Sequence, residues 1–345
     1  MSLRTPTIAL AAFAAGVLLT LAWQREARHP ALSVNGPPAV AATSATAAPA
    51  SASTTASDAD TGETDAWPED APTPEQVIYA QPGLLDEALA SLGPRVPGKP
   101  NLYLVAFAGD GAEDVFRNEA EYAARLFVRR FGSTAHALVL ENHPATLERR
   151  PLASWSNLEA ALDGLARTMD PAQDILVLYL TSHGSEDHTL LVDLDPLPLD
   201  QLDADGLAGM LRKRPFRWKV VVVNACYSGG FIPALRGPGT LVLTAARADR
   251  SSFGCGSDAD VTYFGRAWLI DALNRSNDFI AAFHQAQAEI AGWERQQNLT
   301  PSEPQIAIGA GIADQLAQWR RAAANGAPLP FAPAPLRMTR AGASR

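Results

Sequence analysis

Two short segments of this 345-residue sequence combine a nucleophile or a base with neighbouring glycines. The first, at residues 181–185, reads Thr-Ser-His-Gly-Ser and contains His183. The second, at residues 224–230, reads Asn-Ala-Cys-Tyr-Ser-Gly-Gly and contains Cys226. A cysteine thiol has an ordinary pKa of about 8.5, so it needs a base or a nearby positive charge to ionise at neutral pH. An imidazole within hydrogen-bond reach does this, so the pair predicts Cys226 as a nucleophile and His183 as its general base.

The glycines beside these two residues also have a predicted function. Gly184 has no side chain, so the backbone at this point can approach a substrate carbonyl group closely. The backbone N–H groups of Gly184 and Cys226 are then candidates for an oxyanion hole, which stabilises the negative oxygen of a tetrahedral intermediate. Residues 228–230 (Ser-Gly-Gly) are expected to begin a helix whose amino-terminal dipole favours a thiolate.

Each segment also has a simpler interpretation. A cysteine that follows a run of valines is most often a small buried apolar residue, and a His-Gly pair is most often a turn. Their joint placement nevertheless favours a chemical role, because each residue comes just after a strongly apolar segment. If the two segments are neighbouring strands, His183 and Cys226 project into the same crevice at the carboxyl ends of those strands.

The elements that position these residues alternate between short apolar runs and helical patterns. The apolar runs predict six strands, at residues 102–107, 137–140, 174–180, 219–223, 240–244 and 304–308. Their continuous hydrophobicity is typical of strands buried on both faces of a parallel sheet. Helices are predicted at residues 74–92, 112–131, 154–168, 202–213, 262–274 and 277–295, with a capping box at Ser156 and Glu159. This alternation predicts an α/β fold with helices on both faces of the sheet.

Composition excludes several classes of function. The formal net charge is −9 with only 28 lysines plus arginines, and no basic block interleaves with aromatic residues, so nucleic acid is not expected as a partner. The six histidines and two cysteines show no metal-ligand spacing, and neither a metal nor a cofactor is expected. Two cysteines also provide no disulfide framework. Cys226 and Cys255 either form one bridge or remain free thiols, and the sequence leaves both alternatives open.

The two ends of the chain differ from its centre. An uncharged, mostly apolar run near the amino terminus predicts that residues 1–29 form a signal anchor or a cleaved signal peptide. Residues 30–73 and 326–345 are rich in Ala and Pro and are expected to be a disordered linker and a disordered tail. One domain is predicted between them, at residues 74–325. The anchor would hold it at the inner membrane facing the periplasm, whereas a cleaved signal peptide would release it into the periplasm.

Four blocks of the sequence, in order, resemble the legumain-like cysteine peptidases, whose fold is caspase-like. The blocks are Phe107–Ala120, Thr181–Ser185, Asn224–Gly230 and Thr244–Gly265. The resemblance extends from about residue 100 to about residue 310, and four ordered blocks are much more specific than any single motif. It implies a caspase-like three-layer sandwich with a mostly parallel six-stranded sheet. It also implies that His183 and Cys226 are the catalytic dyad and that Gly184 belongs to the oxyanion hole.

By the same resemblance, Arg117 lines the S1 pocket, which holds the substrate side chain that precedes the cleaved bond. Tyr227, Ser251 and Ser252 are the other residues implied to contact substrate. The sequence departs from the family at two positions of this pocket, because Tyr227 and Arg266 stand where legumains have acidic residues. A preference for asparagine is therefore not implied, and an acidic substrate side chain is an alternative partner for Arg117. An exposed charge on a helix is the simpler interpretation of Arg117.

Together these observations predict a cysteine endopeptidase that hydrolyses polypeptides through an acyl-thioester on Cys226. A transpeptidase uses the same acyl-enzyme, and the sequence does not separate it from a hydrolase. A non-catalytic binding domain tethered to the cell envelope and an esterase-like acyl transferase are the remaining alternatives. The presence of both His183 and Cys226, each with flanking glycines, argues against the binding domain.

Overall fold

The computed structural model describes residues 67–68 and 70–335. The signal anchor expected at residues 1–29 and most of the expected linker lie outside these residues, so both remain predictions. Within the described part of the chain, no helix combines the length and the apolar composition needed to cross a membrane.

A six-stranded sheet forms the centre of the domain. The described residues form eight strands, of which six belong to this sheet. They are β1 (Leu102–Ala108), β2 (Ala135–Glu141), β3 (Ile175–Thr181), β4 (Thr189–Leu190), β5 (Leu202–Asp203), β6 (Trp218–Asn224), β7 (Thr240–Thr244) and β8 (Gln305–Ile308). The large sheet has the order β2-β1-β3-β6-β7-β8, and β4 and β5 form a separate small ribbon. Its first five strands are parallel, and β8 pairs antiparallel with β7 at one edge. The predicted mostly parallel six-stranded sheet is confirmed.

Helices cover both faces of the sheet and complete three layers. They are α1 (Pro74–Ala90), α2 (Asp114–Phe131), α3 (Trp155–Thr168), α4 (Ala204–Arg212), α5 (Ile232–Leu235), a π-helix (Gly265–Leu273), α6 (Phe279–Gln296) and α7 (Ile312–Ala322). One buried apolar cluster joins the sheet to α2, the π-helix, α6 and α7, and a second joins it to α1, α3 and α4. The predicted α/β sandwich is therefore confirmed.

Burial explains why these apolar runs are parallel strands. Every residue of β1 and β3 is buried, and the four consecutive valines at 220–223 in β6 are 0% exposed. Such strands need an apolar layer on each face, which the two helical clusters supply. Because parallel strands are joined by helical crossovers, their carboxyl ends meet at one edge of the sheet. Thr181 and Asn224, the last residues of β3 and β6, are direct partners there.

Local details differ from the prediction at three places. The capping residue of α3 is Ser154, whose side chain accepts a hydrogen bond from Asn157 N, so the predicted capping box at Ser156 is wrong. Ser156 lies within the first turn because the helix begins at Trp155. Residues 202–203 pair with β4 before α4 begins, and the helix expected at 262–274 is a π-helix.

Residues of the expected linker also pack against the domain. Trp67 and Ala71 lie on a small apolar cluster that includes Val77 and Leu152. The indole Nε1 of Trp67 donates a hydrogen bond to Pro72 O at 3.0 Å. The packed unit therefore begins before residue 74, because an aromatic residue in a polar linker is enough to bury apolar area against the core.

The first ten residues of the expected disordered tail lie along α2. Tyr122 OH donates to Leu329 O at 2.9 Å, and Ala334 N donates to Asn118 Oδ1 at 2.8 Å. Gly326 N donates to a backbone carbonyl of α2 at 2.8 Å. These hydrogen bonds hold residues 326–335, for which the sequence predicts disorder, against α2. Composition suggests disorder because Pro and Ala offer few side-chain contacts, whereas this segment is held through its backbone groups.

Candidate active site

The turns that carry His183 and Cys226 lie at the same end of two adjacent strands. His183 lies two positions after Thr181, and Cys226 lies two positions after Asn224. Thr181 and Asn224 are direct partners in the sheet. Ser182 N donates to Asn224 O at 3.3 Å, so the pairing continues past the strands. A Cβ added at Gly184 would lie 2.2 Å from Cys226 O, which shows that the two turns touch. The structure thus brings the base candidate and the nucleophile candidate together.

The Cys226 thiol is half-buried and faces hydrogen-bond donors from the loop after β7. Ser252 N donates to Cys226 Sγ at 3.2 Å, and Ser252 Oγ lies 3.6 Å from the same sulfur. The thiol of Cys255 is the largest influence that lowers the pKa of Cys226, followed by the two Ser252 contacts and the charge of His183. Although burial opposes them, they bring that pKa to about 5. These contacts therefore favour the thiolate form of Cys226.

Cys255 responds in the opposite direction. Its hydrogen bond to Cys226, and then its burial, raise the pKa of the Cys255 thiol well above the ordinary range. The two thiols therefore shift in opposite directions, and Cys226 is the one that ionises more readily. Both cysteines are free thiols, which is one of the two alternatives that the sequence leaves open.

The His183 imidazole lies between a carboxylate and an aromatic ring. Its Nε2 is 3.5 Å from Asp110 Oδ2, and the ring of Phe116 meets it edge-on with the centroids 5.1 Å apart. The side chain of His183 is 37% exposed and that of Asp110 only 5%, so the carboxylate lies on the inner side of the imidazole. A carboxylate in this position orients the imidazole ring.

Asp110 is the residue of this site that the sequence analysis did not identify. It follows β1, which is the direct neighbour of β3, but strand order is not visible in the chain. Its Oδ1 accepts a hydrogen bond from Ala112 N at 2.9 Å, which fixes the carboxylate. The available signal was its position just past an apolar strand, the same signal that identified His183 and Cys226.

Two further carboxylates lie around Asp110. Burial, and then the charge of Asp110, raise the pKa of both Glu113 and Asp193. The charge of His183 acts against this rise at Glu113. Despite these acids, no group of three metal-ligating side chains is arranged around a common point in the residues that the structure describes.

The backbone N–H groups of Gly184 and Cys226 are the predicted oxyanion hole. No hydrogen bond among the described residues uses either of them. The N–H groups that follow each of them are occupied: Ser185 N donates to Thr189 O at 3.1 Å, and Tyr227 N donates to a loop carbonyl at 2.7 Å. The two candidate donors therefore have no partner among the described residues, and they belong to the two turns that touch.

The turn after Cys226 is tight, and it does not lead into a regular helix. Tyr227 has a φ of 56°, in the left-handed region that residues other than glycine seldom adopt. A Cβ at Gly229 would lie 2.5 Å from Ala248 N, so glycine is required there. The chain continues as a 3-10 turn at Ser228–Phe231 and then the four-residue α5. The helix predicted to begin at residues 228–230 therefore begins there as a short 3-10 turn, and the closest hydrogen-bond donors to the sulfur come from the loop after β7.

Arg117 is buried, so the interpretation as an exposed helical charge is wrong. Its side chain is among the largest that are fully buried, at 1% exposed. Nη2 donates to Pro335 O at 2.6 Å, and Nη1 donates to Ala334 O at 3.5 Å. Its charge also lowers the pKa of the buried Glu141, which burial raises. Arg266 differs, because it is exposed and pairs with Asp271 at 2.7 Å.

The other residues implied to contact substrate differ in their surroundings. Ser252 is half-buried and touches the Cys226 sulfur through its N–H and its hydroxyl. Tyr227 is half-buried, and its hydroxyl donates to Glu186 Oε1 at 3.4 Å across the turn after β3. Ser251 is exposed. Tyr227 and Ser252 therefore border the crevice from two sides of Cys226.

Comparison with known proteins shows which family the segment around both turns resembles. Residues 157–314, which contain both His183 and Cys226, match the model of the Peptidase C13 family. No curated protein sequence matches the chain. Among solved structures, caspase-1 from Spodoptera frugiperda is similar over 64% of this chain and 90% of its own, with 11% sequence identity and a TM-score of 0.43. The segment that carries both turns is therefore similar to the legumain-like cysteine peptidases of the Peptidase C13 family.

Proposed function

We propose that this chain is a cysteine endopeptidase in which Cys226 attacks the scissile carbonyl group and His183 transfers the protons. The observation that carries the proposal is the register of β3 and β6, which ends both strands at one level and presents the two residues in touching turns. The lowered pKa of Cys226 supports its role as nucleophile. The family match supports a polypeptide as the substrate.

The first half of the reaction forms the acyl-enzyme. The Cys226 sulfur, ionised at neutral pH, bonds to the carbonyl carbon, and the carbonyl oxygen becomes an oxyanion. The N–H groups of Gly184 and Cys226 donate to this oxyanion. Protonated His183, supported by Asp110 at 3.5 Å, gives its proton to the amine nitrogen as the C–N bond breaks. The products are a free amine and an acyl-thioester on Cys226.

The second half releases the acyl group. Neutral His183 accepts a proton from a water molecule as the water oxygen attacks the thioester carbonyl. The tetrahedral intermediate then expels the sulfur as a thiolate, releases a carboxylic acid and leaves His183 protonated for the next cycle. An amine in place of this water would give a new peptide bond, so hydrolysis and transpeptidation differ only at this step.

Substrate contacts are proposed for Tyr227, Ser251 and Ser252, because they belong to the two loops that border Cys226. Arg117 is proposed as an S1 residue on the family resemblance. The carbonyl groups of Ala334 and Pro335 occupy its guanidinium in the structure, so a substrate group that binds Arg117 must displace them.

A cleavage profile on a proteome-derived peptide library tests this function. We expect the parent protein to cleave, and both Cys226→Ala and His183→Ala to lose at least about 1,000-fold in kcat/KM. His284→Ala is the matched control, since His284 is an exposed histidine of α6 that pairs with Gln287. Unchanged cleavage by Cys226→Ala would exclude Cys226 as the nucleophile. Ligated products in place of hydrolysed ones, when an amine acceptor is added, would replace the hydrolase by a transpeptidase.

The proposed location is the periplasmic side of the inner membrane. It rests on the apolar run within residues 1–29, which suits a signal anchor. Cell fractionation, followed by sequencing of the amino terminus, tests it. An intact amino terminus in the membrane fraction supports the anchor, and a shortened one in the periplasm supports a cleaved signal peptide. Recovery from the cytoplasm would contradict both.

A further inference from the structure

One buried carboxylate contacts each of the segments that build the candidate site. Glu119, on the second turn of α2, is 0% exposed. Its Oε2 accepts hydrogen bonds from Tyr179 OH at 2.9 Å, Thr181 Oγ1 at 2.8 Å and Asn224 Nδ2 at 2.7 Å. Its Oε1 accepts from the backbone N and the hydroxyl of Thr262, at 2.8 and 2.7 Å. These donors use the full acceptor capacity of an ionised carboxylate.

The donors belong to the ends of three different segments. Thr181 and Asn224 are the last residues of β3 and β6, each two positions before the base or the nucleophile. Thr262 ends the loop that follows β7, and this loop contains the donors to the nucleophile. Glu119 therefore links the base, the nucleophile and the loop that stabilises the thiolate.

The residues around Glu119 leave space for its carboxylate and orient its donors. A Cβ at Gly265 would lie 2.1 Å from Glu119 Oε1, so a side chain there would displace the carboxylate. Gly265 N donates to Thr262 Oγ1 at 2.9 Å, which leaves the hydroxyl proton of Thr262 to point at Glu119. This contact gives a physical reason for the Thr-Tyr-Phe-Gly segment at 262–265, which the sequence analysis noticed only through the family resemblance.

A carboxylate at this position is costly for stability alone. Burial raises the pKa of Glu119, and the hydrogen bonds from Thr262, Thr181 and Tyr179 oppose that rise. An apolar side chain in a well-packed core avoids such a desolvation cost. Once the five donors are present, however, removal of their acceptor leaves them buried and unpaired. The arrangement therefore favours one geometry of the strand ends over all others.

We infer that Glu119 is a positioning residue of the proposed peptidase, which fixes the ends of β3 and β6 so that His183 and Cys226 keep their relative geometry. The inference rests on the proposed function, because the role concerns that reaction. Glu119 does not touch the reacting atoms. It acts through the two strand ends and Thr262. A displacement of about 1 Å at reacting groups lowers a rate by about 100-fold, so a small relaxation of this network has a large effect on kcat.

Three variants of the full chain test the inference. Glu119→Gln keeps the shape of the side chain but puts an NH2 group where a carboxylate oxygen accepts up to three hydrogen bonds. Tyr179→Phe removes one of the donors and keeps the ring that stacks on Trp268. Tyr122→Phe is the matched control, because it also removes one buried phenol from a hydrogen bond, here to Leu329 O, without touching the strand ends.

Two quantities are measured for each variant. One is kcat and KM for a peptide that the parent cleaves, and the other is the rate at which iodoacetamide alkylates Cys226 across a range of pH. Circular dichroism and thermal melting show which variants are folded. We expect folded Glu119→Gln to lose on the order of 100-fold in kcat with little change in KM, and Tyr179→Phe about 10-fold. Tyr122→Phe should keep the parent values of kcat and of alkylation.

The result that overturns the inference is a folded Glu119→Gln protein with parental kcat and parental alkylation of Cys226. Equal kcat losses in Tyr179→Phe and Tyr122→Phe would overturn it as well, because they would show a general effect of stability. If Glu119→Gln does not fold, the comparison of the two tyrosine variants decides. Failure of the proposed function can be distinguished from failure of this inference. If the proposed function fails, the parent does not cleave peptides, but the alkylation rates of the variants still report the geometry around Cys226.

Discussion

Glu119 and Glu141 are two buried glutamates in the same domain with opposite surroundings. Their exposed fractions are 0% and 1%. The oxygens of Glu119 accept five hydrogen bonds, whereas neither oxygen of Glu141 has a hydrogen-bond partner among the described residues. Glu119 reaches the ends of the central strands β3 and β6, and Glu141 ends the edge strand β2.

This difference shows that burial alone does not distinguish a functional carboxylate from a structural one in this molecule. Burial raises the pKa of both groups. For Glu141 it reaches about 7, because burial and the charge of Glu121 outweigh the charges of Arg150 and Arg117. Glu119 is distinguished by its donors, which come from the segments that carry the site. Glu119 organises the site, and Glu141 is a cost to the stability of the fold.

The largest loss of activity is expected when a neighbouring residue disrupts the hydrogen bonds of Glu119. In Gly265→Ala the new Cβ would come within 2.1 Å of Glu119 Oε1, which forces the carboxylate away from Thr262. We expect kcat/KM to fall by about 100-fold, because the strand ends lose their common acceptor. Gly292→Ala in α6 is the control, since nothing lies within 4 Å of its added Cβ, and it should keep activity and stabilise the helix by about 0.5–1 kcal/mol. Parental kinetics in Gly265→Ala would contradict the account.

The second test concerns Glu141 and stability. Its folded-state pKa of about 7 is above the ordinary value of 4.5, so its protonated form favours the folded state and that stability is lost as the pH rises through about 7. Glu141→Gln cannot ionise and should raise the free energy of unfolding by on the order of 2 kcal/mol near pH 8 and by little near pH 4. Urea unfolding at both pH values measures this. An equal gain at both values would contradict the role of ionisation, and a loss of peptidase activity would contradict the contrast with Glu119.

The smallest of the three effects concerns the protonation of the nucleophile rather than its position. Cys255 is the largest influence that lowers the pKa of Cys226, so Cys255→Ala should move the midpoint of Cys226 alkylation upward from about pH 5. Cys255→Ser keeps an O–H donor and should shift the midpoint less. The pH dependence of the iodoacetamide rate measures both. An unchanged midpoint in Cys255→Ala would show that Ser252 and His183 are sufficient to ionise the thiol.

The strands and the two catalytic turns could be predicted because their signals are local. A run such as Val220–Val223 is hydrophobic without interruption, and Cys226 follows it after only two residues. His183 has the same relation to β3. The principle that parallel strands present their carboxyl ends at one edge then brings both together.

Glu119 could not be predicted in the same way, because its partners are far away in the chain. Thr181 and Thr262, which donate to Glu119, are 62 and 143 positions distant from it. Glu119 reads as one more polar residue of an amphipathic helix, and only the fold shows that it points inward. The contacts of residues 326–335 could not be predicted either, because they are made largely by backbone groups, which every residue has.

The most direct test of the central claim, that Cys226 and His183 form one nucleophilic site, is mass spectrometry of the full chain after treatment with a peptidyl acyloxymethyl ketone. This reagent alkylates an activated thiol. We predict a single adduct on Cys226, which disappears in Cys226→Ser and is strongly reduced in His183→Ala. An adduct on Cys255 instead, or equal labelling of the parent and His183→Ala, would contradict the claim.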